Sequence, residues 1–196
     1  MRLACYIVSC SIALALAGCD SRSSSSKSVA TGTTRASSSV DVVQPKIRWP
    51  SATLVDHATR VALPLDAQRL LTRSPVPVLV PPKDVRLDAV KLVVDDEFYA
   101  FSAKLETGAS IVVQGTRARV RIEGVEPVPG RMALHGDVLG HVTENEGIRV
   151  ATWIENETSY SVDLECVSPE EAQCTSDDQV IALAKSLVFV GGEGSQ

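Results

Sequence analysis

The chain predicts a β-rich α+β domain over residues 41–192, an antiparallel sheet of hairpins with a C-terminal helix packed on it and a short helix earlier in the chain. Three observations carry that expectation. Apolar and polar side chains alternate with a two-residue period between Phe98 and Ile122, the pattern of half-buried strands. Strand-forming residues flank Asn156-Glu157 on both sides, as in a hairpin. Val180, Leu183, Ala184 and Leu187 recur at helical spacing near the end of the chain, which marks an amphipathic helix.

Taken in order, Val40, Val42, Val43, Ile47 and Trp49 form an extended lead-in closed by Pro50. Helical signals between Ser51 and Thr72 are broken. Pro64 suits a first helical turn, Leu65, Leu70 and Leu71 give a short apolar face, and Arg69 and Arg73 fall where a helix end favours cations. Ser74 to Pro82 alternates prolines with aliphatic residues. Proline cannot donate to a central ladder, so this stretch runs extended on an edge or across a core face; its aliphatic content favours burial over service as a proline-rich ligand. Val85–Val94 and Phe98–Leu105 read as strands, with Tyr99, Phe101, Ala103 and Leu105 on one face. Ile111 to Gln114 returns after the turn at Glu106-Thr107-Gly108.

Arg117, Arg119 and Arg121 then alternate with Ala118, Val120 and Ile122, which predicts a half-buried strand with its arginines on the open face. Met132-Ala133-Leu134 resumes a strand briefly. In the hairpin Ile148–Glu155 and Thr158–Cys166, a loop at Asn156-Glu157 places Trp153 opposite Tyr160 and Ala151 opposite Val162. Ser176 and Gln179 suggest a capping box for the last helix. Gly191-Gly192 stops the element that follows, and residues 193–196 read as a disordered tail.

The amino terminus has a different character. Residues 1–18 carry one cation, Arg2, before an apolar run that is too short to cross a hydrocarbon core of roughly 30 Å and has the form of a secretory signal. Leu16-Ala17-Gly18-Cys19 resembles the lipobox of bacterial lipoproteins. That resemblance implies a diacylglycerol on the Cys19 thiol, cleavage before Cys19 and acylation of the new amine; two or more chains anchor stably where one anchors marginally. Asp20 resembles the signal that retains enterobacterial lipoproteins at the periplasmic face of the inner membrane, with the outer membrane as the alternative. Residues 19–40, rich in serine and threonine, cannot bury enough surface to order themselves and read as a flexible tether, with an r.m.s. span of about 25 Å.

Under this reading Cys5 and Cys10 leave with the signal and lipid consumes Cys19, so Cys166 and Cys174 remain to form a disulfide in an oxidising envelope. The formal charge is −5, and loss of Arg2 with the signal takes it to −6. Such a chain is not built for nonspecific nucleic-acid binding. The hairpin, cysteine pair and helix together resemble the C-terminal segments of uncharacterised bacterial envelope proteins, a likeness that implies no activity.

Chemistry-bearing motifs are scarce. His135, Asp137 and His141 offer ordinary metal ligands, yet their spacing matches no motif of known mechanics. Asp95, Asp96 and Glu97 are adjacent and read as a solvated turn, and Asn156-Glu157-Thr158 reads as a turn although it fits the glycosylation pattern. No nucleophile elbow, zinc-protease helix or phosphate loop is present in the sequence. The expected function is therefore that of a noncatalytic, lipid-anchored envelope protein with no cofactor. It would bind a protein partner or an anionic envelope ligand through Arg117, Arg119 and Arg121, the sheet surface or the proline-rich segment. The alternative is a periplasmic hydrolase or metal-dependent enzyme using His135, Asp137 and His141.

Overall fold

The computed structural model describes residues 40–168, 170–171 and 174–195; the signal, the lipobox, Asp20 and the tether up to residue 39 lie outside the described residues. In chain order the elements are β1 (Val40–Val43), α1 (His57–Ala62), α2 (Leu65–Leu71), β2 (Val78–Val80), β3 (Leu87–Val94), β4 (Phe98–Leu105), β5 (Ser110–Thr116), β6 (Arg119–Ile122), β7 (Met132–Ala133), β8 (Leu139–Asn145), β9 (Ile148–Glu155), β10 (Thr158–Glu165), α3 (Asp178–Ser186) and β11 (Val188–Gly191). Seven strands make one antiparallel sheet in the order β3-β4-β5-β10-β9-β8-β7, while β1 with β6 and β2 with β11 form two separate ribbons. Strand-rich α+β architecture with a large antiparallel sheet follows directly.

The sheet buries one face. Tyr99 and Phe101 of β4, Ile111 and Val113 of β5, Tyr160, Val162 and Leu164 of β10, and Ala151 and Trp153 of β9 alternate with residues that point the other way. Over this face lie the helices and the β2–β11 ribbon: α2 against β3, β2 against β5, and α3 against β9 and β10. The last helix presents Val180, Leu183 and Ala184, all buried, to the sheet. Burial of these side chains supplies the main driving force of the fold, at ~25 cal/mol per Å² of apolar surface.

Local chemistry explains the hairpin between β9 and β10. Asn156 and Glu157 both adopt positive φ, 52° and 63°, the geometry of the two-residue turn whose twist matches the flanking strands. The register pairs Trp153 with Tyr160 and Ala151 with Val162, and the two aromatic rings stack with centroids 5.4 Å apart. Cys166, just beyond β10, is bonded to Cys174, with Cα atoms 6.3 Å apart. Arg149 of β9 reinforces the same junction: its guanidinium reaches Asp177 at 2.5 Å and Glu144 at 2.8 Å, and donates to the carbonyl of Cys174.

Two buried tyrosines hold the proline-rich stretch. Val76, Val78, Leu79 and Val80 are buried beneath the sheet. The Tyr99 hydroxyl accepts from the Leu79 amide at 3.0 Å and donates to the Leu79 carbonyl at 3.1 Å, and the Tyr160 hydroxyl donates to the Pro77 carbonyl at 2.9 Å. These bonds satisfy backbone groups that would otherwise be costly inside a core. Burial pushes both phenol groups well above the ordinary tyrosine range, so they stay neutral. From Val76 to Pro81 the segment is core structure, while Pro75 and Pro82 stay partly exposed.

Three expectations are corrected. Arg119–Ile122 does not join the large sheet: after Thr116 the chain turns away, fixed by Arg117 N–H to the Glu97 carbonyl at 3.0 Å and Ala118 N–H to Thr116 Oγ1 at 3.1 Å. It then pairs with β1, leaving Val120 68% exposed. The last helix starts after Asp177, one residue later than expected, and the Asp177 side chain does not cap it; the Ser176 hydroxyl donates to the Asp178 carboxylate and accepts from the Asp178 amide, and Asp177 is taken by Arg149. The expected tail forms a 3-10 turn over Glu193–Ser195, tied down by Glu193 N–H to the Ser74 carbonyl at 2.9 Å.

Candidate functional site

The sheet's second face is left uncovered by the helices and carries a cleft of about 440 Å³. Strand alternation builds its floor. Because Tyr160, Val162 and Trp153 point into the core, Ser159, Ser161, Thr152 and Ile154 must point outward, and the register aligns Gln114, Ser161, Thr152 and His141 in one row across β5, β10, β9 and β8. Thr116, Ser159 and Ile154 form the next row. The stretch between β6 and β7 walls the cleft with Val128 and Gly130, opposite Leu139. It lies backbone to backbone on β8, since a Cβ at Gly130 would sit 2.6 Å from the Gly140 nitrogen. Arg131 N–H donates to the Gly140 carbonyl at 2.8 Å, and His141 Nε2 lies 3.1 Å from the Val128 carbonyl.

The floor is thus a set of uncharged donors and acceptors, and Val128, Leu139 and Ile154 are exposed apolar groups around it. Asp163 follows Ser161 on the same face of β10. Its Oδ1 is buried without a hydrogen-bond partner, and burial holds its carboxyl above the usual range. Such an arrangement can take a ligand by hydrogen bonds from its polar groups and by apolar contact; it contains no nucleophile matched to a base.

The three residues of the enzymatic alternative do not meet. His135 follows β7, and its ring stacks on the core-facing Trp153 with centroids 6.2 Å apart, whereas His141 stands in the outer row, so the sheet lies between them. Asp137 is exposed in the turn closed by Leu134 N–H to the Val138 carbonyl. Among the described residues no group of three His, Cys, Asp or Glu side chains is placed to hold a metal ion. His135 does have a carboxylate partner, Glu155, at 2.7 Å from Nδ1, but Nε2 lies 3.0 Å from the Leu187 carbonyl at the end of α3. Both ring nitrogens face acceptors, an arrangement that favours the protonated ring. The bond to Glu155 raises its pKa, against an opposing effect of burial. Neither nitrogen is left for a substrate.

The arginines also part company. Arg119 and Arg121 share a face of the β1–β6 ribbon, but Arg119 reaches Glu157 at 3.2 Å, and Arg48 binds the other oxygen of the same carboxylate at 3.2 Å. Arg121 stands opposite Asp41 on the exposed ribbon. Arg117 precedes β6 and lines a different cleft, with Lys46 and Trp49. The alternation in sequence is real, yet the turn at Thr116-Arg117 separates the side chains it relates. The outer-face cleft itself was implicit in the alternation of β10 and β9; its wall was not, because residues 123–131 carry no periodicity. No helix among the described residues is long and apolar enough to cross a membrane. Comparison with protein-family models, curated proteins and solved structures returns no match.

Proposed function

We propose that the chain is a noncatalytic bacterial lipoprotein, anchored through Cys19 to the periplasmic face of the inner membrane, that binds a protein partner or envelope ligand on the outer face of its sheet. The observation that carries the binding half of this reading is the cleft floored by Gln114, Thr116, Thr152, Ser159 and Ser161 and rimmed by exposed Val128, Leu139 and Ile154. An open sheet face needs only polar side chains to stay solvated; a walled cleft with an apolar rim is what a ligand site requires. The anchoring half rests on Leu16-Ala17-Gly18-Cys19 and Asp20. The Cys166–Cys174 bond supports it, since such bonds persist in oxidising compartments outside the cytoplasm.

Fractionation with mass analysis tests the anchor. The native protein should sediment with inner membrane and begin at an acylated Cys19, and Cys19→Ala should be released from the membrane. An unmodified Cys19, or a Cys19→Ala chain that stays with the membrane, contradicts it; recovery in the outer membrane would overturn the role given to Asp20 alone.

A further inference from the structure

A second cleft lies where the lead-in segment meets the end of the chain, and it is lined by Gln44, Lys46, Trp49, Pro75, Arg117 and Glu193, among others. Its volume is about 560 Å³. Each part is fixed independently. Arg117 is placed by its amide bond to the Glu97 carbonyl. The lead-in is pinned downstream by Arg48 N–H to the Asn156 carbonyl and by the Arg48–Glu157 pair. Trp49 lies flat on the C-terminal turn, since a Cβ at Gly194 would come within 2.3 Å of the indole. Gln44 is committed to Glu97 through its side-chain amide.

Two cations remain there without anionic partners: neither Lys46 nor Arg117 makes an ion pair among the described residues. The Nε of Arg117 is buried and has no hydrogen-bond partner. Arg117 also lines the cleft; a guanidinium with donors unspent calls for an acceptor, and a planar carboxylate matches its fork. We infer that this cleft binds the carboxylate of an anionic ligand between Arg117 and Lys46. Two carboxylates stand at the site, Glu193 in the lining and Glu97 against the Gln44 side chain, so they offset much of the charge of Lys46 and Arg117, which favours a monocarboxylate over a phosphate dianion. Trp49 and Pro75 provide the apolar wall against which the body of that ligand would rest. The site is separate from the outer-face cleft and does not depend on the lipid anchor.

Titration of the purified full-length chain in detergent with N-acetylalanine, followed by Trp49 fluorescence, tests the inference, with N-acetylalanine amide and inorganic phosphate as the comparison probes. The only other tryptophan, Trp153, is buried. N-acetylalanine should bind saturably, the amide should not, and phosphate should bind more weakly. Arg117→Gln should weaken the acid by about tenfold or more, the effect of one charge-assisted hydrogen bond, with Arg117→Lys intermediate. Glu193→Gln should tighten it, because the competing carboxylate is gone. Equal binding of acid and amide, no saturable response to the acid, or an Arg117→Gln chain that melts at the wild-type temperature and binds the acid unchanged would overturn the site. Phosphate binding more tightly than the acid would overturn the assignment to a monocarboxylate.

Discussion

The molecule contains two short valine-rich ribbons with opposite fates. The ribbon of β2 and β11 is buried: Val78, Val80 and Val190 are fully buried, and Tyr99 and Tyr160 reach down from the sheet to satisfy its backbone. The ribbon of β1 and β6 stands in solvent, with Val42 66% and Val120 68% exposed although they face each other across the pair. Composition does not separate the two. What separates them is whether a partner layer supplies both apolar cover and hydrogen-bonding hooks for a strand without neighbours on its second edge.

That contrast can be broken or sharpened by substitution. Leu79→Ala removes buried methyl groups at the centre of the covered ribbon and should cost about 2–5 kcal/mol, read by urea unfolding; a loss below this range would mean that the ribbon contributes little to the core. Tyr99→Phe keeps the ring but orphans both the amide and the carbonyl of Leu79, and should cost about 1–3 kcal/mol, with faster amide exchange at Leu79. If exchange there is unchanged, the hydroxyl is not the hook described.

The His135 clasp gives an effect that depends on pH. The ring ties Glu155 of the sheet to the Leu187 carbonyl at the end of the last helix, and its pKa in the folded chain is raised above the ordinary value of 6.5. A raised folded pKa means that the stabilisation is fully present below the unfolded value and is lost as pH rises through the folded one. The stability difference between wild type and His135→Ala should therefore be largest at acidic pH and shrink on the alkaline side. A difference that does not vary with pH would show that the ring acts by packing on Trp153 alone. At the small end, Val120→Ser on the exposed ribbon should change stability by no more than about 0.5 kcal/mol; a larger loss would show that this face is covered.

The same contrast explains which features were legible in sequence. The hairpin register from Trp153 to Tyr160, the disulfide and the apolar face of the last helix are set by residues close together in the chain, and alternation or helical spacing reveals them. The pairing of Val78–Val80 with Val188–Gly191 joins segments about a hundred residues apart, and nothing local to either announces the other. Burial of Ser74–Pro82 was legible from its aliphatic content, but the tyrosine hydroxyls that permit it were not. Arg117, Arg119 and Arg121 had the right period and the wrong premise: a two-residue repeat orients side chains only while the strand continues, and here the chain leaves the sheet at Thr116. Likewise, His135 and His141 are neighbours in sequence separated by a sheet. Of the outer cleft, the floor follows from the alternation that also fills the core, whereas its wall depends on the close approach of Gly130 to Gly140, which no periodic signal encodes.

The proposed binding face is the uncovered face of the sheet rather than the helical layer. Site-specific photocrosslinking in intact cells tests it directly, with a photoreactive side chain placed at Gln114 or Ser161 in the cleft floor and, as control, at exposed Arg69 on α2. The account predicts a defined adduct from both cleft positions and none from position 69. Adducts from position 69 alone, or no adduct from either cleft position, would contradict it.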